Sequence, residues 1–158
     1  MAQETLRVGI VVARRRTTGL WGAESWLPVA ALDLPECSAL PPQGDGDLRV
    51  LGGVEIELHA GQTAHYLDNL GSGRPALWVG LWLCAGEPRL GAVTLDPYEG
   101  EAMAEGIGEI VEAVAMPHAL RLGLGDFVAR WHVERPFIKR QRDRIGNREA
   151  GGPPSRRC

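Results

Sequence analysis

Apolar residues in the first two thirds of the chain recur mainly at every second position, which is the period of a β-strand. Residues 6–13 form an apolar, β-branched run, which predicts a buried strand. Residues 26–34 predict a second strand, and Pro28 favours the edge of a sheet for it because proline has no N–H to donate to a ladder. In residues 54–58 apolar side chains alternate with glutamates, which indicates a strand with one buried and one solvated face.

Glycines punctuate the middle of the chain. Gly52 and Gly53 predict a tight turn just before the alternating segment, and residues 71–73 predict another turn. We assign residues 63–70, which lie between these points, to a further strand. This interpretation places His59 and His65 on neighbouring strands, where they could pair across the sheet.

Residues 77–83 (LWVGLWL) contain no polar side chain, which is typical of a strand that is central or covered on both sides. The period of two puts Trp78 and Trp82 on one face, roughly 13 Å apart at about 3.3 Å per residue. Two interpretations remain open for this tryptophan pair. The rings could pack under a C-terminal helix, or they could anchor a partner, since tryptophan is enriched in binding hot spots.

The pattern becomes helical after residues 90–95, which predict a hairpin partner for the tryptophan strand. Asp96-Pro97-Tyr98-Glu99 has the form of a capping box with proline at the first helical position, so a short acidic helix is expected there. Residues 109–115 predict the last strand. The following main helix has apolar residues at helical spacing, namely Leu120, Leu124, Phe127, Val128 and Trp131.

These elements predict a mainly β fold of the α+β class. We expect a small antiparallel barrel or a strongly curved sheet of six or seven short strands, capped by the C-terminal helix. At 158 residues the chain has the length of one domain, commonly about 100–200 residues. No 18-residue apolar run and no signal peptide is visible, and three widely spaced cysteines are typical of reduced thiols. A cytoplasmic location is therefore predicted, without a membrane partner.

Charge divides the chain into two parts. Residues 1–134 contain 9 arginines and no lysine against 18 acidic residues, a net charge of −9. Residues 135–158 contain 8 basic residues against 2 acidic ones, a net charge of +6. We predict a single β-rich domain with a C-terminal helix over residues 1–134, and a basic, flexible tail over residues 135–158 that is typical of a docking arm.

No constellation of residues predicts catalysis, a cofactor or a metal. The sequence lacks a phosphate-binding G-x-x-x-x-G-K-[ST] motif, and its histidines and cysteines lack the spacing of a metal site. Cys84 ends an apolar strand and is interpreted as a buried, inert thiol. The acidic residues of the last third are interpreted as a solvated face: Asp96, Glu99, Glu101, Glu105, Glu109 and Glu112.

The basic tail is the strongest candidate for partner binding. Its charges would steer association, and two apolar residues would anchor it. The predicted partner-binding residues are Phe137, Ile138, Lys139, Arg140, Arg142 and Arg144, together with Trp78 and Trp82. The low overall pI of about 5.8 favours a protein partner over nucleic acid, which stays a second alternative.

Several short motifs resemble those of one protein family. The most specific part is the stretch from Met116 to Arg144. Its matching motifs are Met116-Pro117, Phe127-Val128, His132-Val133-Glu134, Pro136-Phe137 and Lys139-Arg140. Earlier matching pieces are Val8–Val12 with Arg14-Arg15, Trp21, Trp26, Pro28–Ala30, Tyr66, Asn69-Leu70, Pro75, Thr94 and Pro97–Glu99. The chain thus resembles a family of small proteobacterial proteins classed as a domain of unknown function. Members are often encoded beside genes for molybdenum- or tungsten-dependent formate dehydrogenases.

The resemblance implies a non-catalytic accessory or small associated subunit of such a dehydrogenase. The expected partner is a subunit of the enzyme or one of its assembly factors. Some relatives carry the label of a molybdopterin–guanine dinucleotide biosynthesis protein, so synthesis or carriage of the molybdenum cofactor is the alternative. That alternative would use Arg14, Arg15 and Arg16 on a phosphate, but these residues lack the paired glycines that let a phosphate approach the backbone.

Overall fold

The computed structural model describes residues 2–16, 24–33 and 47–134. Within these residues the strands are β1 (Gln3–Arg16), β2 (Glu24–Asp33), β3 (Leu48–His59), β4 (Ala76–Cys84), β5 (Glu87–Thr94) and β6 (Ile110–Ala115). The α-helices are α1 (Thr63–Leu70), α2 (Pro97–Ala104) and α3 (His118–Trp131). A single turn of 3-10 helix, Ala60–Gln62, leads into α1. None of the helices described is long and apolar enough to cross a membrane.

The strands form two antiparallel sheets of three strands each. The strand order is β2-β1-β3 in the first sheet and β5-β4-β6 in the second. The sheets approach each other where β2 lies near β6 and where β3 lies near β5, without a shared ladder. The predicted mainly β fold with a C-terminal helix is confirmed, whereas the sheets do not close into a barrel.

One hydrophobic core joins the two sheets and α3. The central strands supply its fully buried residues in alternation, Val8, Ile10 and Val12 from β1 and Leu77, Val79 and Leu81 from β4. Leu124 and Phe127 of α3 are also fully buried. Trp131 departs from the predicted apolar stripe, since it is 43% exposed on the last turn of α3.

The turn predicted at Gly52 and Gly53 is wrong, because β3 continues through both residues. Val54 pairs with Val8 and Leu51 pairs with Ile10, so the two glycines face the single residue between Val8 and Ile10. This arrangement is a β-bulge, and Gly53 carries the positive φ of 70° that a bulge favours in glycine.

The strand predicted for residues 63–70 is also wrong, because these residues form α1. The buried side chains are Thr63, Tyr66 and Asn69, which recur at every third position and not at every second. A helix therefore buries this set on one face, and a strand would not. Because His65 lies on α1 and not on a strand, it does not pair with His59 across a sheet.

Other local predictions are confirmed. β2, which contains Pro28, is an edge strand, and β4 is the central strand of its sheet. The Asp96 carboxylate accepts the backbone N–H groups of Tyr98 and Glu99 at the start of α2. The start of α3 is capped from a distance, because Asp33 of β2 accepts the N–H groups of Ala119 and Leu120.

Candidate functional site

The outer face of the second sheet carries both predicted tryptophans. Leu77, Val79 and Leu81 of β4 point into the core and are fully buried. Trp78 and Trp82 alternate with them; Trp78 is partly buried and Trp82 is 45% exposed. The alternation predicted from the sequence therefore places both rings on the face turned away from the core.

Helix α2, and not the C-terminal helix, covers Trp78. A methyl group on Gly100 of α2 would lie 2.1 Å from Cγ of Trp78. Such a distance is far below van der Waals contact, so the helix approaches the indole ring only because residue 100 is glycine. The close approach fixes Trp78 between the sheet and α2.

Glu109 separates the two tryptophans. Gly80 and Gly91 leave space on the outer face, and the Glu109 carboxylate occupies it, since methyl groups there would lie 1.8 and 2.2 Å from Oε1. Oε1 is buried and has no hydrogen-bond partner among the described residues. The prediction of a solvated acidic face over residues 96–112 is therefore wrong for Glu109.

Beyond Glu109 lies an exposed apolar patch, which we define as Trp82 and Ile107. The Trp82 ring lies against Gly108, whose added methyl group would be 3.3 Å from Cζ3. The neighbouring Ile107 is 98% exposed. Cys84, at the end of the same strand, is also exposed, so the prediction of a buried thiol is wrong.

On the other side of Glu109, around Trp78, the face forms a cleft of about 810 Å³. Its floor contains Trp78 and Ala76 of β4 opposite Ala113 and Ala115 of β6. The two alanines of β6 leave room beside the tryptophan that larger side chains would fill. The walls come from α2, from the turn between α1 and β4, and from the first turn of α3.

Asn69 holds one wall of the cleft in place. Its Nδ2 donates to the carbonyl oxygens of Ala76 (2.7 Å) and Leu95 (2.8 Å). Its Oδ1 accepts the N–H of Ala76 at 3.0 Å. The end of α1 is therefore joined to the start of β4 and to the segment before α2, and Asn69 itself is only 2% exposed.

Tyr98 forms the rim of the cleft. Its hydroxyl donates to Asp68 Oδ2 at 2.8 Å, and this hydrogen bond raises the pKa of Tyr98. Its ring lies 4.6 Å from that of His65, centroid to centroid. His65 Nδ1 is 2.6 Å from Oδ2 of Asp96. Asp96 is 3% exposed, so the solvated-face prediction is wrong for this residue too.

Two arginines of the cleft lack the carboxylate partners that most other arginines in the described part of the chain have. Arg74 and Arg121 line the cleft, and neither side chain has a hydrogen-bond or carboxylate partner in the described part of the chain. Five other arginines form ion pairs with carboxylates: Arg7, Arg14, Arg16, Arg49 and Arg130. The cleft therefore presents guanidinium groups that no residue described here neutralises by direct contact.

The alternative phosphate site at residues 14–16 has a different environment. Arg14 and Arg16 both pair with Glu24, at 3.4 and 3.0 Å. The Arg14 guanidinium also lies 5.2 Å from the centroid of the Trp26 ring. Arg15 is exposed. Among the residues described, no group of three histidines, cysteines or carboxylates could hold a metal ion.

The predicted arm residues Phe137, Ile138, Lys139, Arg140, Arg142 and Arg144 lie outside the described residues. The sequence pattern predicts the tryptophan face but not the cleft, whose residues include Arg74, Arg121 and Tyr98. One signal was available, since Ala113 and Ala115 are small residues at alternate positions of a predicted strand. Without the pairing of β4 with β6, however, nothing placed those alanines beside Trp78.

The fold and the site define a class: a two-sheet antiparallel β protein whose second sheet presents a tryptophan-bearing face. Residues 7–141 match the family described as "Protein of unknown function (DUF3305)", and the chain belongs to that family. No curated protein and no solved structure matches the chain significantly.

Proposed function

We propose that this protein is a non-catalytic accessory protein that binds a molybdenum- or tungsten-dependent formate dehydrogenase. Its partner would be a subunit of that enzyme or one of its assembly factors. The observation that carries the binding role is the apolar patch, in which Trp82 is 45% and Ile107 is 98% exposed. The choice of partner comes from the family resemblance described above.

The patch has the composition of a binding anchor. Tryptophan supplies a large apolar area with few rotatable bonds and is enriched among residues that dominate binding energy. Contiguous exposed apolar groups ringed by polar residues mark interaction sites. Here Arg89 pairs opposite Trp82 across the β4–β5 ladder, which supplies a charged neighbour at the edge of the patch.

The basic tail would contribute the second part of the interaction. Its net charge of +6 contrasts with −9 for residues 1–134, so the tail can attract an acidic partner surface that the body would repel. Electrostatic attraction of this kind raises the association rate more than it strengthens the final complex. We therefore assign the lifetime of the complex to the patch and its rate of formation to Lys139, Arg140, Arg142 and Arg144.

The test is a pull-down from the source organism grown with formate, read by mass spectrometry. The baits are the full chain, a W82S/I107S variant and an L122S control, in which Leu122 is an exposed apolar residue of α3 (56%). We expect the full chain and L122S to retain a formate dehydrogenase subunit or assembly factor, and W82S/I107S to lose it.

The role of the tail is tested with charge reversal at Arg140, Arg142 and Arg144. The expected result is slower association and a weaker dependence on salt, because fewer charges steer the encounter. Equal recovery of the partner by W82S/I107S would contradict the role of the patch. Recovery of no formate dehydrogenase component by any bait would contradict the proposed partner.

A further inference from the structure

We propose that the cleft around Trp78 binds a small molecule consisting of a planar heterocycle that bears a phosphate group. This inference goes beyond the protein-binding role and does not depend on it. The cleft and the patch lie on the same face of the sheet but use different residues, with Glu109 between them.

The cleft has the size and shape of a small-molecule site. A volume of about 810 Å³ lies within the range of about 300–1,000 Å³ that is usual for small-molecule sites. The paired alanines of β6 make the space, and Asn69 and Gly100 fix two of its walls at the level of the backbone. A site whose walls are fixed before binding loses less entropy when the ligand enters.

The cleft also offers an aromatic surface. Trp78 lines the floor and Tyr98 lines the rim, and both rings are restrained by neighbours. Trp78 is held against Gly100, and Tyr98 is held by Asp68 and the ring of His65. Restrained rings offer a surface on which a planar heterocycle can stack, as bases do on aromatic side chains in single-stranded nucleic-acid complexes.

Two arginines supply positive charge at the cleft. Arg74 lies in the turn before β4 and Arg121 in the first turn of α3, and both line the cleft. Arginine binds phosphate oxygens through paired N–H groups, which makes it well suited to this anion. The N–H groups that Asp96 and Asp33 accept at the starts of α2 and α3 are already occupied, so they cannot bind a phosphate. The two guanidinium groups are therefore the available phosphate donors.

Carboxylates at the cleft favour a heterocycle with N–H groups over a simple anion. Asp68 already accepts the Tyr98 hydroxyl, whereas the exposed carboxylate of Glu101 has no hydrogen-bond partner among the described residues. A ring N–H or amino group can donate to Glu101 while the phosphate binds the arginines. A simple anion has no N–H group to donate, so the negative charge of the Glu101 carboxylate would repel it.

The experiment is isothermal titration of the full chain with AMP, GMP and FMN. Each is compared with its phosphate-free parent: adenosine, guanosine or riboflavin. We expect at least one phosphorylated probe to bind about tenfold more tightly than its parent. This ratio of dissociation constants corresponds to about 1.4 kcal/mol of binding free energy from the phosphate group. Binding should weaken with added salt, because the contact is between charges.

Variants locate the site. R74Q/R121Q should remove the preference for the phosphorylated probe, and W78L should weaken probe and parent alike, with circular dichroism confirming that each variant is folded. R7Q is the matched control, since Arg7 is an exposed arginine of β1 that lies outside the cleft. Unchanged binding by R74Q/R121Q, loss of binding by R7Q, or equal binding of all probes and their parents would overturn the proposal. Failure of all three probes to bind would overturn it too. None of these results bears on the W82S/I107S pull-down, so the two proposals fail separately.

Discussion

Single residues decide how closely the elements around the site approach one another. Gly100 allows α2 to rest on Trp78, and Gly80 allows Glu109 to lie between the two tryptophans. The two contacts differ in stiffness, because the indole ring that packs against α2 cannot move aside as the end of a glutamate side chain can. The same substitution should therefore have different consequences at the two glycines.

Gly100→Ala should destabilise the protein although alanine favours a helix. The new methyl group would overlap the Trp78 ring, and overpacking of this kind typically costs about 1–3 kcal/mol. Gly125→Ala in α3 is the matched control, since no atom lies within 4 Å of an added methyl group there. That variant should gain up to about 1 kcal/mol from helix propensity. Urea denaturation measures both, and a Gly100→Ala protein as stable as wild type would show that α2 does not press on Trp78.

The ion pair between Glu4 and Arg130 links β1 to α3 and predicts a pH dependence. The hydrogen bond from Arg130 holds the pKa of Glu4 below its ordinary value. A depressed pKa in the folded state stabilises the fold at pH values above the ordinary carboxylate pKa of about 4.3, and this stabilisation is lost as the pH falls through the folded pKa.

Glu4→Gln should therefore lower the melting temperature at pH 7 and have little effect at the lowest pH at which the protein remains folded. The melting temperatures of both proteins are measured by circular dichroism at pH values from 7 down to the lowest at which the protein remains folded. A difference between them that stays constant with pH would show that the ion pair is not its source. Because the pair is exposed, we expect the effect to shrink in high salt.

At the scale of elements, the strands followed from sequence more readily than the helix α1. The alternation of β3 and β4 and the capping box of α2 are local patterns, so a single sequence contains them. The helix at residues 63–70 is harder to predict, because its buried set of Thr63, Tyr66 and Asn69 includes two polar residues. The helical period is therefore hidden in a hydrophobicity pattern. Their burial depends on partners far along the chain, such as the carbonyl of Leu95 that Asn69 contacts.

Asn69→Ala should destabilise the junction of α1, β4 and the segment before α2. The variant leaves backbone groups of Ala76 and Leu95 without the partners they now have, and each buried unpaired group costs about 1–3 kcal/mol. We expect a loss of more than about 2 kcal/mol in urea denaturation. Leu67→Asn, on the exposed side of the same helix, should change stability by about 0.5 kcal/mol or less. Equal effects of the two would contradict the bridging role of Asn69.

The cleft could not be read from the sequence because it is a product of pairing between distant strands. Ala113 lies opposite Trp78 only through the register of β4 with β6, and α2 and α3 then supply the walls. Each residue alone resembles an ordinary surface position. The tryptophan face, by contrast, follows from a period of two within seven residues, and its prediction is confirmed.

At the scale of the whole molecule, one sheet faces the core and carries the candidate sites on its outer surface. Its inner side buries Leu77, Val79 and Leu81, while its outer side holds the cleft, Glu109 and the apolar patch in sequence along β4. A rigid, core-packed strand is a suitable base for binding residues, because packing fixes their positions. We propose that a formate dehydrogenase component binds at the patch on this face.

Site-specific photo-crosslinking in cells grown with formate tests whether that component contacts the patch. A photoreactive amino acid placed at position 107, where the native side chain is 98% exposed, should crosslink to a formate dehydrogenase subunit or assembly factor. The same amino acid at position 122 on α3 should give no such product. Crosslinks to that partner from position 122 but not from 107, or from neither position, would contradict the claim that the tryptophan face is the binding surface.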